Sequence, residues 1–429
     1  MSLNHFWMVI NMSGKQKPLI RFKGFTEAWE QRKVTEIGKI YIGLVTTMTK
    51  YYTEDGTLLI RNSDIKDGRF EFGANPIYLE KSFAQKNESR MHQLGDVITV
   101  HTGDVGTSAV ITENEVKSIG FATIVTRPNQ EIIDSNYLCS FLNTDKHKKW
   151  AVGVSTGDGR TNYNLGNYYE LIVPVPSVKE QQKITTFIQK LNCLITLHQR
   201  KLEKLKNIKK SCLEKMFPNN GKKIPEIRFS GFTEAWEQRK LSELATMYAR
   251  IGWQNLRTSE FLDSGNYMLI TGTDFEDGAI NFDTCYYVER RRYEQDKHIQ
   301  VKNGSILITK DGTLGKVAYV EGLSIPATLN AGVFNVEIKD KIKVDKKYLF
   351  QYLKAPYLMN YVNKKATGGT IKHLNQNILI NFPVVMPLKR EQKLIGVFFN
   401  QIDNIITLHQ RKLEKLKNIK KSMLEKMFV

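Results

Sequence analysis

Asn75-Pro76-Ile77-Tyr78 sets a carboxamide beside a proline and an aromatic ring, a combination that can grip a base flipped out of a duplex for methyl transfer. The second proline that such a loop uses is missing, and no G-x-G-x-x-G stretch for a methyl donor lies upstream. Asp104 followed by Glu115-Val116-Lys117 could surround a metal ion for phosphodiester cleavage, but so loose a spacing arises readily by chance. Gly312-Thr313-Leu314-Gly315-Lys316 lacks the GxxxxGK[ST] spacing of a phosphate-cradling loop, and Val317 stands where a hydroxyl would bind magnesium. Cys139, Cys193, Cys212 and Cys285 form no CxxC pair and HExxH is missing, so neither a zinc site nor a disulfide framework is expected. The expectation is a chain with no catalytic residue and no metal site.

Side chains suited to phosphates and base edges recur instead. Lys and Arg total 63 against 44 Asp and Glu, a formal net charge of +19 that favours a polyanionic partner. Candidate DNA contacts in the first half are Thr47, Thr49, Lys50 and Tyr51, then Arg61, then His101, Thr102 and Thr107, then Arg160, Asn162 and Tyr163. In the second half they are Arg250, Trp253 and Gln254, then Lys310, Thr313 and Lys316, then Thr370, Lys372 and His373. Arg and Lys can read guanine, and Asn and Gln can read adenine, in the major groove. Glycines in the same turns let the backbone approach a ligand closely.

The elements that carry these loops occur twice. Residues 20–33, IRFKGFTEAWEQRK, return at 227–240 with one difference, and Ile195–Phe217 returns as Ile406–Phe428 with 22 of 23 residues identical. A period of about 210 residues is too long for a solenoid and describes two whole domain-plus-helix units with internal pseudo-two-fold symmetry. Between the near-identical blocks only weak echoes survive, such as Leu59-Ile60 with Leu269-Ile270, and GDVITVHTGDVG with GSILITKDGTLG. A shared fold with diverged surfaces is what two domains reading different targets would show. VITVHTGDVGTSAVI and SILITKDGTLGKVAYV predict strand-turn-strand units, and helical pieces are expected around 137–151 and 348–362, so the class is α+β.

An apolar stripe in alternating steps of four and three runs through Ile184, Ile188, Leu191, Ile195, Leu202 and Leu205, interrupted by His198 and Lys209. Its copy is Ile395, Phe399, Ile402, Ile406, Leu413 and Leu416, interrupted by His409 and Lys420. These are the expected core of an antiparallel pair of long coiled-coil helices, each a rod of roughly 50 Å, with one domain at either end. The resulting division is a leader at 1–17, a first domain at 18–180, a first spacer helix at 181–217 and a linker at 218–226. A second domain at 227–390 and a second spacer helix at 391–429 follow, and Met12 offers an alternative start. The four widely separated cysteines fit a reducing cytoplasm, and the N-terminal apolar stretch, Phe6–Ile10, is too short to span a bilayer, so no membrane partner is expected.

The IRF-GF-EAWEQRK opening, the leads Gln181-Gln182-Lys183 and Glu391-Gln392-Lys393 into each helix, and the HQRKLEKLKNIKKSxLEKMF helix together resemble the specificity subunit of type I restriction-modification systems, over residues 18–429. The resemblance implies two target recognition domains, each reading one half of a bipartite site in double-stranded DNA. It also implies that this chain binds no cofactor itself. Two methylation subunits would bring S-adenosylmethionine and methylate adenine at N6, and two restriction subunits would bring ATP and Mg²⁺ chemistry in the full complex. A self-contained DNA methyltransferase or nuclease with an unfamiliar site is the alternative.

Overall fold

A computed structural model describes residues 8–10, 17–156, 161–218, 222–311, 314–365 and 374–428. The chain forms two compact units, the first made of residues 1–199 with 411–429 and the second of residues 200–410. Each is an α+β body with two four-stranded sheets, and a long helix, Val178–Lys215, links the two sheet-rich domains.

In the first unit one sheet is antiparallel, in the order Ser108–Val110, Val97–Thr99, Ile124–Pro128 and Gly38–Ile42. The predicted strand-turn-strand is the pair Val97–Thr99 and Ser108–Val110, whose six residues are almost all buried. The other sheet runs Ile119–Phe121, Thr57–Arg61, Ile77–Leu79 and Tyr52–Thr53, with its first pair parallel. Helices Ser135–Leu142 and Asp145–Val154 follow, capped by the side chains of Asp134 and Thr144.

The second unit repeats this plan with different residues. Ala245–Tyr248, Val333–Ile338, Ile306–Thr309 and Val317–Tyr319 form the antiparallel sheet. In the other sheet Met268–Ile270 lies parallel to Ala327–Leu329, as Thr57–Arg61 lies parallel to Ile119–Phe121. The edge strands differ: Gln300–Val301 joins Ala327–Leu329 here, whereas Tyr52–Thr53 joins Ile77–Leu79 in the first unit.

The repeated sequence blocks build the same clamp in each unit. Arg21 donates two hydrogen bonds to the Glu180 carboxylate, at 2.7 and 2.8 Å, inside the first core. Arg228 does the same to Glu391, at 2.8 and 2.8 Å, in the second. The next residue in each helix, Gln181 or Gln392, accepts from the backbone N–H of Asp134 or Asp345 and donates to two carbonyls. Each unit also encloses the C-terminal phenylalanine of one helix. Phe428 sits against Trp29, Tyr137 and Phe141, and Phe217 against Trp236, Tyr348 and Phe399.

The long helices run Val178–Lys215 and Lys389–Met427, and the residues of the stripe are buried to different degrees along them. Ile184, Ile188 and Leu191 are buried in the first unit, and Ile395, Phe399, Ile402 and Ile406 in the second. Ile195, Leu202, Leu205 and Leu416 are partly buried, and Leu413 is buried. The lysines that interrupt the stripe are paired: Lys209 with Asp403 at 2.5 Å and Lys420 with Asp67 at 2.9 Å.

Removing one member of a buried, bidentate ion pair leaves an uncompensated charge, which costs about 3–5 kcal/mol. Glu391→Ala should therefore lower stability by about that amount in urea unfolding, while Arg228→Met with Glu391→Leu recovers a large part of it. Equal stability of Glu391→Ala and the parent chain would show that the clamp is not what holds the repeated strip.

Candidate nucleic-acid interface

In the first unit the loops that leave strands Thr57–Arg61, Val97–Thr99 and Ile119–Phe121 meet at one edge. Asn62 ties them: its Oδ1 accepts from the backbone N–H of His101 at 2.8 Å, and its Nδ2 donates to the carbonyl of Ala122 at 3.1 Å. The segment from Thr161 to Tyr163 joins the cluster, with Tyr163 N–H bonded to the His101 carbonyl at 2.8 Å and Thr102 bridged to Asn162. The Thr102 hydroxyl donates to Asn162 Oδ1 at 2.8 Å and lies 2.7 Å from His101 Nδ1. Arg61, His101, Thr102 and Asn162, spread over a hundred residues of sequence, are thereby brought together. Arg61 is half-occupied already, its guanidinium held by Asp64 at 2.7 and 2.9 Å.

The second unit closes its loops in the same way. Lys310 N–H bonds to the Gly332 carbonyl at 2.7 Å, Asn330 N–H to the Ile270 carbonyl at 2.9 Å, and Leu374 N–H to the Lys310 carbonyl at 2.8 Å. Lys310 thus occupies the place of His101, since Leu374 N–H reaches it as Tyr163 N–H reaches His101. Asp274 accepts from the Thr271 backbone as Asp64 accepts from Arg61, fixing the first loop in both units. Lys310 Nζ lies 5.8 Å from the centre of the Phe334 ring, and Lys316 is exposed.

Thr47, Thr49 and Lys50 are exposed on a short turn that precedes strand Tyr52–Thr53. Tyr51 stacks on Phe83 with ring centres 4.0 Å apart, and Lys50 Nζ lies over it at 4.9 Å. This makes a cationic aromatic ledge suited to a phosphate or a base face. Arg160, Thr313, Thr370, Lys372 and His373 lie outside the described residues. Trp253 falls on a short turn, Gly252–Gln254.

Four of the expected contacts are corrected, because they are interior. Thr107 is 1% exposed and donates to Asp104 at 2.7 Å, closing its own turn. Tyr163 is 0% exposed, packed with His147, Trp150 and Tyr168 beneath the cluster. Arg250, at 2%, donates to the Leu329 and Gln254 carbonyls, the Gln295 amide and the Thr328 hydroxyl. Gln254 is 5% exposed. These residues hold the loops and are not offered to a ligand. Asn62, the tie of the first cluster, was missed; a polar NSD run directly after an apolar strand was the signal that could have found it.

The residues weighed for catalysis have other duties. Ile77-Tyr78 are part of a sheet strand, Asp104 is engaged by Thr107, and the buried Glu115 carboxylate accepts from Thr112. Among the described residues no group of three or more His, Cys, Asp or Glu side chains could hold a metal ion.

The decisive comparison is with a family model, that of the type I restriction modification DNA specificity domain, which matches this chain twice, over residues 26–207 and 233–418. The chain belongs to this family. The MjaVIII type I specificity subunit of Methanocaldococcus jannaschii is 23% identical over 302 residues, 68% of this chain and 69% of that protein. A putative specificity subunit of the same organism, MjaX, is 23% identical over 408 residues, covering 93% and 92%. The crystal structure of the type I S subunit from M. genitalium matches with a TM-score of 0.63 at 14% identity, over 95% of this chain and 97% of that one. A chain from a structure concerned with complex assembly and conformational transition of the type I R-M system gives 0.53 at 16% identity, over 94% and 98%. The two loop clusters therefore stand on the two DNA specificity domains of a type I specificity subunit.

Beneath the first cluster, burial pushes the His147 imidazole down to about 4, although its Nδ1 faces the Leu142 carbonyl at 2.6 Å. His92, buried beside Ser118, is also pushed down to about 4 by burial. In the unfolded chain a histidine binds its proton near pH 6.5, so on acidification the unfolded state is protonated first. Stability of the first unit should fall as pH drops from about 6.5 to about 4, by up to about 3 kcal/mol per histidine. The slope of unfolding free energy against pH should shrink in a His92→Gln, His147→Gln double variant. An unchanged slope would mean that these imidazoles are not the groups responsible.

Proposed function

We propose that each domain reads one half of a bipartite double-stranded DNA site through its loop cluster, and that the chain has no active site of its own. The carrying observation is that one loop geometry is built twice on a repeated frame from different side chains. The Tyr163-to-His101 backbone bond has its counterpart in Leu374 to Lys310, while the C-terminal stretches of the frame helices, Ile195–Phe217 and Ile406–Phe428, agree at 22 of 23 positions. The formal charge of +19 suits a duplex, whose phosphates supply most of the non-specific affinity. Two methylation subunits carrying S-adenosylmethionine would dock on the helices and repeated strips, and two restriction subunits using ATP and Mg²⁺ would complete the complex. Structural likeness to a chain studied for type I complex assembly supports such partners. No helix among the described residues is long and apolar enough to cross a membrane, and the proposed site of action is the cytoplasm.

Co-expression with a cognate methylation subunit and single-molecule sequencing of the host genome should show adenine methylation confined to one split motif, absent when this chain is omitted. Exchanging residues 241–380 for those of another specificity subunit should change one half of that motif only. Methylation by this chain without a partner would make it an enzyme and overturn the reading.

A further inference from the structure

Building on the proposed reading of DNA by these loops, we infer that His101, oriented through Thr102 and Asn162, presents a hydrogen-bond acceptor to the base edge facing the first domain and so selects adenine or cytosine there. The argument is one of proton count. A threonine hydroxyl carries a single hydrogen, and that of Thr102 goes to Asn162 Oδ1, which can only accept. The 2.7 Å contact between Thr102 Oγ1 and His101 Nδ1 must then be donated by the imidazole, so the Nδ1 nitrogen bears the proton. Nε2 is left with its lone pair, and burial of the ring lowers its affinity for a second proton. Asn162 has its oxygen engaged, and what it can still offer is its two N–H donors.

An acceptor beside donors discriminates among base pairs. In the major groove the hydrogen-bonding groups of guanine and thymine are acceptors only, whereas adenine N6 and cytosine N4 carry N–H donors. His101 Nε2 can therefore bond adenine or cytosine, while the Asn162 amide suits a neighbouring N7, O6 or O4. The equivalent place in the second domain holds Lys310, a donor with no acceptor, which suits guanine or thymine. The same point of the fold thus reads opposite polarity in the two domains. Thr102 acts as a positioning residue, and His101 and Asn162 make the contact.

The test is methylation mapping of the complete complex with Thr102→Val, Thr102→Ser, His101→Phe and His101→Lys, with the half-site read by the second domain as an internal control for folding. The parent should show adenine or cytosine at one position of the first half-site. Thr102→Val and His101→Phe should relax that position by roughly tenfold or more, the size of a lost base-edge contact. Thr102→Ser should keep the parental preference, and His101→Lys should move it towards guanine or thymine. An unchanged motif in both His101 variants would overturn the inference while leaving the two-domain reading intact, even if Thr102→Val lost all methylation. A parent complex with no split motif would instead overturn the reading on which it rests.

Discussion

A guanidinium and a carboxylate sealed together in each core set the terms for the rest of this molecule. Taking both charges out of water is costly, and the paired bonds offset only part of that cost, since Arg21 Nη1 and Arg228 Nη1 are buried without a hydrogen-bond partner. Arg21 with Glu180, and Arg228 with Glu391, each make two short parallel bonds, and all four residues are nearly or wholly inaccessible or only marginally exposed. The neighbouring glutamines bond the turns ahead of helices Ser135–Leu142 and Lys346–Lys354, so the start of each long helix is locked to its own domain. Any single change in this set strands a buried polar group, which accounts for the near-identity of the IRF strip in the two halves.

The long helices are constrained more tightly still, because each belongs to two interiors. The first contributes Ile184, Phe187, Ile188 and Leu191 to one core and Leu213, Met216 and Phe217 to the other. The second contributes Ile395 and Phe399 to one and Leu424, Met427 and Phe428 to the other. The aromatic surroundings of Phe217 and Phe428 are themselves built from the repeated tryptophan and the tyrosines Tyr348 and Tyr137. A helix end that must fit the same socket in both halves has little freedom to drift. Within the repeated stretches Ile195–Phe217 and Ile406–Phe428 the one difference, Cys212 for Met423, falls at partly buried positions where an adaptable side chain is accommodated.

Much of this frame was legible in the sequence. A stripe of period 3.5 and a strip repeated at about 210 residues point to long helices and two domains, and both patterns are local or self-announcing. The clamp was not, because Arg21 and Glu180 are 159 residues apart and nothing in either neighbourhood names its partner. The candidate site divided in the same way. Polar loops could be picked out by composition, but a polar side chain in a loop serves the fold as often as a ligand, and composition does not say which. Arg250 has the type expected of a base reader, yet its acceptors on Thr328 and Leu329 lie nearly eighty residues away and draw it inside. Tyr163 adjoins Asn162 and points into the core, because the bridge at Asn162 gives alternate residues opposite faces.

How two domains can diverge in what they read while keeping one fold follows from which atoms hold the loops. The closures at Tyr163 and His101, and at Leu374 and Lys310, use backbone N–H and carbonyl groups that every residue other than proline supplies. The turn after the first strand of each cluster is held by a buried aspartate, Asp64 or Asp274, bonding backbone atoms of the same turn. The side chains at 101 and 310 are therefore not what closes these loops, although His101 bonds Thr102 and Lys310 lies over Phe334. Histidine can stand in one place and lysine in the other without moving the loop. Side chains at such positions can change because the path of the chain does not depend on them.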